Sequence, residues 1–187
     1  LEGFVYRKAD HIVSVTYAFK DHILKRGGRE RNISVLRNGV DLDAYSTHAP
    51  IDDNGLARQL GLEGKFVISY VGTHGMAHGL DIILDAAETL LEEKDIVFLM
   101  VGDGAERVRL LESRDRRGLT NVLMEGQQPK AMMPVIWSMT NVSLVVLKKL
   151  DLFKTVIPSK IFESMAMQRP IVPVSYTHLT LPTMMSV

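Results

Sequence analysis

The sequence predicts an α/β fold on a doubly wound parallel sheet, and three observations predict it. Beyond about residue 65, apolar runs of strand length alternate with segments of helical period. The runs Phe66–Val71 and Ile96–Val101 are almost continuously apolar rather than alternating, the mark of strands covered on both faces. The joins are short, and strand, helix and strand linked in this way close a right-handed crossover. The outcome is a Rossmann-like domain, preceded by elements of another.

Taken in order, residues 11–16 (HIVSVT) form a β-rich run, and Phe19, Ile23 and Leu24 then share a helical face that Gly27 ends. Residues 33–36 read as a short strand. The stretch from Arg37 to about Gly64 is rich in Asn, Asp, Gly and Pro and poor in helical pattern, so it reads as a linker. Residues 1–36 are then the end of a first domain, 37–64 the linker and 65–174 the second domain. Within the second domain, residues 80–91 place Ile83, Leu84, Ala87 and Leu91 on one helical side. Helix follows over 105–114, extended chain over 122–124, helix over 130–139 after Pro129, and strand over 142–147. Pro158 stands at a favoured first helical position for a helix over 161–167, and 171–174 is extended.

At 187 residues, with 46% hydrophobic and 24% charged, the chain has the composition of a soluble globular protein with one α/β domain and part of another. No apolar run has bilayer length. Lys+Arg 22 against Asp+Glu 22 leaves no net charge to recruit nucleic acid, so any phosphate recognition is local. The absence of cysteine removes disulfides, zinc–thiolate sites and thiol nucleophiles, and suits a reducing cytoplasm. The start at Leu1 has neither the basic nor the apolar part of a signal peptide, and the chain reads as beginning inside a longer frame.

Doubly wound sheets bind ligands beyond the carboxyl ends of their strands, so the strand-to-helix turns are where chemistry is sought. The first is Gly72-Thr73-His74-Gly75-Met76-Ala77-His78-Gly79, whose glycines permit close approach of a phosphate; it matches neither G-x-G-x-x-G nor a P-loop, and a purely geometric turn is the alternative. In the second, Gly102-Asp103-Gly104, Asp103 reads as the cap of the next helix. The third gathers Lys148, Lys149, Asp151 and Lys154 before Pro158-Ser159-Lys160-Ile161-Phe162-Glu163. Cations and free N–H groups there suit a diphosphate, Ser159 can cap the helix, and Glu163 can accept from ribose hydroxyls; a solvated basic loop with a surface glutamate is the alternative. Trp137 and the Met132/Met133 pair read as core, and Asp41-Leu42-Asp43 as part of the crossing rather than a metal motif.

The stretch LKKLDLFKTVIPSKIFESMAMQRPIV closely resembles the donor-binding segment of glycosyltransferase family 4, in particular the bacterial branch that builds O-antigen and exopolysaccharide. ADHIVSVT, VLRNGVDLDAY, ISYVGTHGMAHGLDIILDAAETL and FLMVGDGAERVRLLE follow in the family's order, so the resemblance runs from about Ala9 to Val172. It implies a retaining GT-B enzyme with two Rossmann-like domains, a UDP-sugar or other nucleotide-sugar donor in the second, a glycan or lipid-linked acceptor in the first, and no bound metal. The nucleotide sugar is a substrate, so no cofactor is implied. A cytoplasmic parent enzyme with peripheral association at the inner face of the membrane fits the same branch. Lys148, Lys154, Ser159 and Lys160 then fall in the diphosphate region with the Gly72–Gly79 turn, and Glu163 at the ribose.

The family's motif departs at several positions. Thr155 stands where a first glutamate is common, Thr73 and His78 stand near positions of Arg and Lys, and Gln168 replaces a helix-ending glycine. His74 or His78 offers a weaker anion ligand than lysine. Thr155 and the weakened turn favour a second reading, a non-catalytic nucleotide-binding module, and a sugar-nucleotide epimerase of related fold is a third. The tail SYTHLTLPTMMSV, residues 175–187, lacks periodicity and resembles a translated sequencing-adapter tail, so it is expected to be foreign and to pack poorly.

Overall fold

In the computed structural model, residues 1–45, 55–148 and 158–174 are described. The N-terminal part holds α1 (Glu2–Lys8), β1 (Ile12–Ser14), α2 (Tyr17–Lys25) and β2 (Ile33–Val35), with β1 and β2 paired in parallel. α2 starts where it does because the Thr16 hydroxyl accepts from the Phe19 amide, a side-chain cap that the strand reading of 11–16 had absorbed. α1 lacks buried residues, which is why no apolar period announced it.

Within the 37–64 crossing lies α3 (Leu56–Gln59), and after it come β3 (Phe66–Val71), α4 (Asp81–Thr89), β4 (Ile96–Val101), α5 (Arg107–Arg116) and β5 (Val122–Glu125). They are followed by a 3₁₀ turn at Lys130–Met132, α6 (Met133–Met139), β6 (Val142–Val146), α7 (Lys160–Ala166) and β7 (Ile171–Val174). The five strands are all parallel in the order β5-β4-β3-β6-β7, so the doubly wound expectation holds. The chain winds outward from β3 through β4 to β5 and then returns to set β6 on β3's other side. The switch between β3 and β6 is where such sheets open a crevice.

Strand alternation divides the core between the two faces. Tyr70, Phe98, Met100, Leu144 and Val146 pack with Ile83, Leu84 and Ala87 of α4 and Leu110 of α5. Val67, Val71, Leu99 and Val101 pack with Ile136 and Trp137 of α6, Met167 after α7, and Tyr45 and Leu62 of the crossing. The described part of the 37–64 segment is therefore docked on the sheet, and it contains a one-turn helix that its Gly and Pro content hid.

Three local expectations are corrected. α7 begins at Lys160, so Pro158 precedes the helix rather than opening it. Ser159 already has helical angles, φ −58° and ψ −31°, and its hydroxyl makes no capping bond, because a cap needs an extended residue there. Asp103 does not cap α5, which starts after Glu106; its Oδ1 accepts from the adjacent Gly104 amide. Gln168 does take the left-handed angle that a glycine would hold, φ 54°.

Candidate functional site

The carboxyl ends of β3 and β4 run into two glycine turns that touch backbone to backbone. Gly72 donates to Val101 O at 2.8 Å, His74 N to Asp103 O at 2.8 Å and Glu106 N to His74 O at 2.9 Å. At Gly102, φ +143°, a β-carbon would stand 2.0 Å from Gly72 O, so only glycine lets the turns close. A cleft of about 220 Å³ opens between them, lined by Gly72, Thr73, Gly102, Asp103, Gln127 and Met133.

Two lysines arrive at the same turn from across the switch. Lys148, just past β6, donates its backbone N–H to Ala77 O at 3.0 Å, and a β-carbon on Gly79 would lie 3.1 Å from its Cγ. Lys160, the first residue of α7, reaches the other end: its Nζ would sit 2.6 Å from a β-carbon on Gly72. That nitrogen is buried, has no hydrogen-bond partner among the described residues, and lies 3.9 Å from the Tyr70 ring centroid. Burial pulls its pKa down to about 8, with the charge of Glu163 opposing. The Tyr70 hydroxyl donates to Thr73 O at 2.8 Å, so the ring beneath the ammonium is fixed to the same turn.

The other sequence-predicted residues divide by exposure. Thr73 and Lys148 are exposed, Gly75 and His78 half-buried, and Ser159 exposed at the start of α7. His74 has no exposed surface; burial first, then Arg107, lowers its pKa to about 4, so the ring is neutral beneath the turn rather than presented at its surface. His78 Nδ1 lies 3.2 Å from Val146 O, and burial lowers its pKa as well. Lys154, Lys149 and Thr155 lie outside the described residues, as does the tail from Ser175. Asp41 Oδ1 accepts from the amides of Asp43 and Ala44, closing a local turn in the crossing.

Glu163, one turn into α7, is half-buried and accepts from the indole N–H of Trp137 at 3.1 Å. Sequence reading placed Trp137 in the core, where it is, but missed this bond. The two residues stand 26 positions apart on elements brought together only by the sheet.

A family model described as "Glycosyl transferases group 1" matches residues 65–181. The chain belongs to this family. Two curated glycosyl transferases extend the match toward the N-terminus. WcaI of Escherichia coli (strain K12), named for colanic acid biosynthesis, is 27% identical over 158 residues, 84% of this chain and 38% of its own length. The 2-deoxystreptamine glucosyltransferase of Streptomyces kanamyceticus is 29% identical over 153 residues, 78% of this chain and again 38% of its own. The chain thus spans about two fifths of the length of these relatives. Among solved structures, Anabaena HepE in complex with UDP and glucose superposes with a TM-score of 0.73 at 22% identity, over 90% of this chain and 45% of that one. At that identity the likeness shows the fold, which is the GT-B type that the resemblance implied.

Proposed function

We propose that this chain is the donor-binding part of a retaining glycosyltransferase that moves a sugar from a UDP-sugar or other nucleotide sugar to a glycan or lipid-linked acceptor, without a bound metal. One observation carries the proposal. The buried ammonium of Lys160, without a hydrogen-bond partner among the described residues, lies against the Gly72 turn at the strand switch, with Lys148 packed on the turn's far end. A desolvated cation beside open backbone has its strongest complement in a multiply charged oxyanion such as a diphosphate. HepE, which has this fold, was crystallised with UDP and glucose, and that supports the choice of donor.

In this reading Lys160 and Lys148 stabilise charge that builds on the departing diphosphate, a contribution made where the transition state needs it. Lys154 and Ser159 are proposed for the same region, Glu163 for the ribose hydroxyls, and the cleft between the two glycine turns for the rest of the nucleoside. The boundaries 1–36, 37–64 and 65–174 are kept as the end of an acceptor domain, a crossing and a donor domain. Because acceptor chemistry belongs to the other half of the GT-B architecture, the 187-residue chain by itself should bind donor without transferring sugar.

Calorimetric titration with UDP, GDP and NAD tests the proposal. UDP or GDP should bind, and Lys160→Met, which keeps an unbranched side chain one atom shorter and removes the charge, should weaken binding by about tenfold or more. Preferred binding of NAD, or an affinity indifferent to Lys160→Met, would contradict it. A transfer assay on the isolated chain should give no product.

A further inference from the structure

We infer that Trp137 is a positioning residue for Glu163, a buried ring donor that fixes its carboxylate for a ribose diol; this rests on the donor-binding reading given above. The indole N–H of Trp137 donates to Glu163 Oε2 at 3.1 Å. Trp137 has no exposed surface, and Tyr45 is 4% exposed. The Tyr45 phenol, in the same layer, is pushed up to about 12, by burial first and then by the charge of Glu163. The indole stands on α6 and its acceptor on α7, so the bond joins two separate elements.

The indole is not free to turn away. Both rings pack in the apolar layer formed by Val67, Val71, Leu99 and Met167 on one face of the sheet. An indole nitrogen only donates, so losing Glu163 would leave a buried N–H unpaired, at a cost well above the net value of the bond. The carboxylate therefore has a defined orientation before any ligand arrives. A glutamate free on a helix surface would have to give up rotamer freedom when it grips a sugar; one already pinned at Oε2 does not. A carboxylate offers acceptors alone, which match a diol's two O–H donors. The arrangement is thus a device for ribose selectivity, and it explains why a tryptophan with a polar edge stands in an otherwise apolar layer.

Binding of UDP compared with 2′,3′-dideoxy-UDP, measured by calorimetry on the full chain, isolates this role, since the two ligands differ only where Glu163 acts. The unmodified chain should favour UDP by about tenfold, as a charge-assisted pair of hydrogen bonds allows. Trp137→Phe should cut that ratio to within about threefold by weakening UDP while leaving the dideoxy ligand nearly unchanged. A merely structural role would lower both affinities together, keep the ratio, and overturn the inference. If Glu163→Ala abolishes the ratio while Trp137→Phe retains it, the inference falls and the ribose reading stands. If the unmodified chain shows no preference, or Glu163→Ala leaves it intact, the ribose reading itself fails and takes the inference with it. Should Trp137→Phe not fold, as judged by circular dichroism, β-(3-benzothienyl)alanine at position 137, which keeps the ring shape and replaces the N–H by sulfur, decides alone.

Discussion

Gly102 and Lys160 show how single residues set this site. A β-carbon at position 102 would meet the backbone oxygen of Gly72, not a side chain that could swing aside, at an angle of φ +143°. Gly102→Ala should therefore cost at least about 2 kcal/mol in urea unfolding, through strain and forced separation of the two turns. Gly126, with nothing within 4 Å of its built β-carbon, should tolerate alanine with little change. Lys160 makes a prediction in pH. Its folded pKa of about 8 lies below the ordinary 10.5, so the unliganded site loses its positive charge as pH rises through 8. UDP affinity should fall between pH 7 and 9 in the unmodified chain and change much less in Lys160→Met. His74 acts on stability instead. With a folded pKa of about 4 against an ordinary 6.5, it refuses a proton that the unfolded chain accepts in between, surrounded as it is by Arg107, Lys160, His78 and Asp103. Stability should be complete above pH 6.5 and fall as pH drops toward 4, by up to roughly 3 kcal/mol from this residue. His74→Gln should flatten that slope in unfolding measured across the range.

At the scale of elements, apolar layers and not ion pairs hold the helices on the sheet. Arg109 bridges Asp81 of α4 and Glu106 beside α5, but its side chain is half-exposed. Arg109→Ala should cost no more than about 1 kcal/mol and less in high salt. Leu84→Ala, at a position with no exposed surface, should cost about 2–5 kcal/mol. The same physics decided what could be read from the sequence. β3 and β4 were legible because burial on both faces writes a continuous apolar run, and α4 because one face alone is buried. α1 and α3 were not: α1 buries nothing, and α3 is a single turn inside a Gly-rich crossing. The capping roles given to Ser159 and Asp103 failed because residue type permits a cap while backbone angles decide it. The glycine turn and Lys160 could be picked out from their place after strands. The Trp137 bond to Glu163 could not, since it exists only once α6 and α7 share a sheet face.

Over the whole molecule, strand order turns a scattered set of residues into one site. Positions 72–79, 148 and 160 meet because β6 returns to lie beside β3; placed at the sheet's far edge, the same loop would leave Lys160 far from the glycines. Tyr45 of the 37–64 segment packs in the same apolar layer as Trp137, and so ties that segment to the face that carries the candidate site. Family membership and fold together make sugar transfer the reaction to test, and the position of a bound diphosphate is the direct check. A crystal structure of the chain grown with UDP should place both phosphates at the β3–β6 switch, within hydrogen-bonding reach of Lys160 Nζ and against the Gly72 turn. Phosphates bound at the amino ends of the strands, or at this end but away from Lys160, would contradict the account.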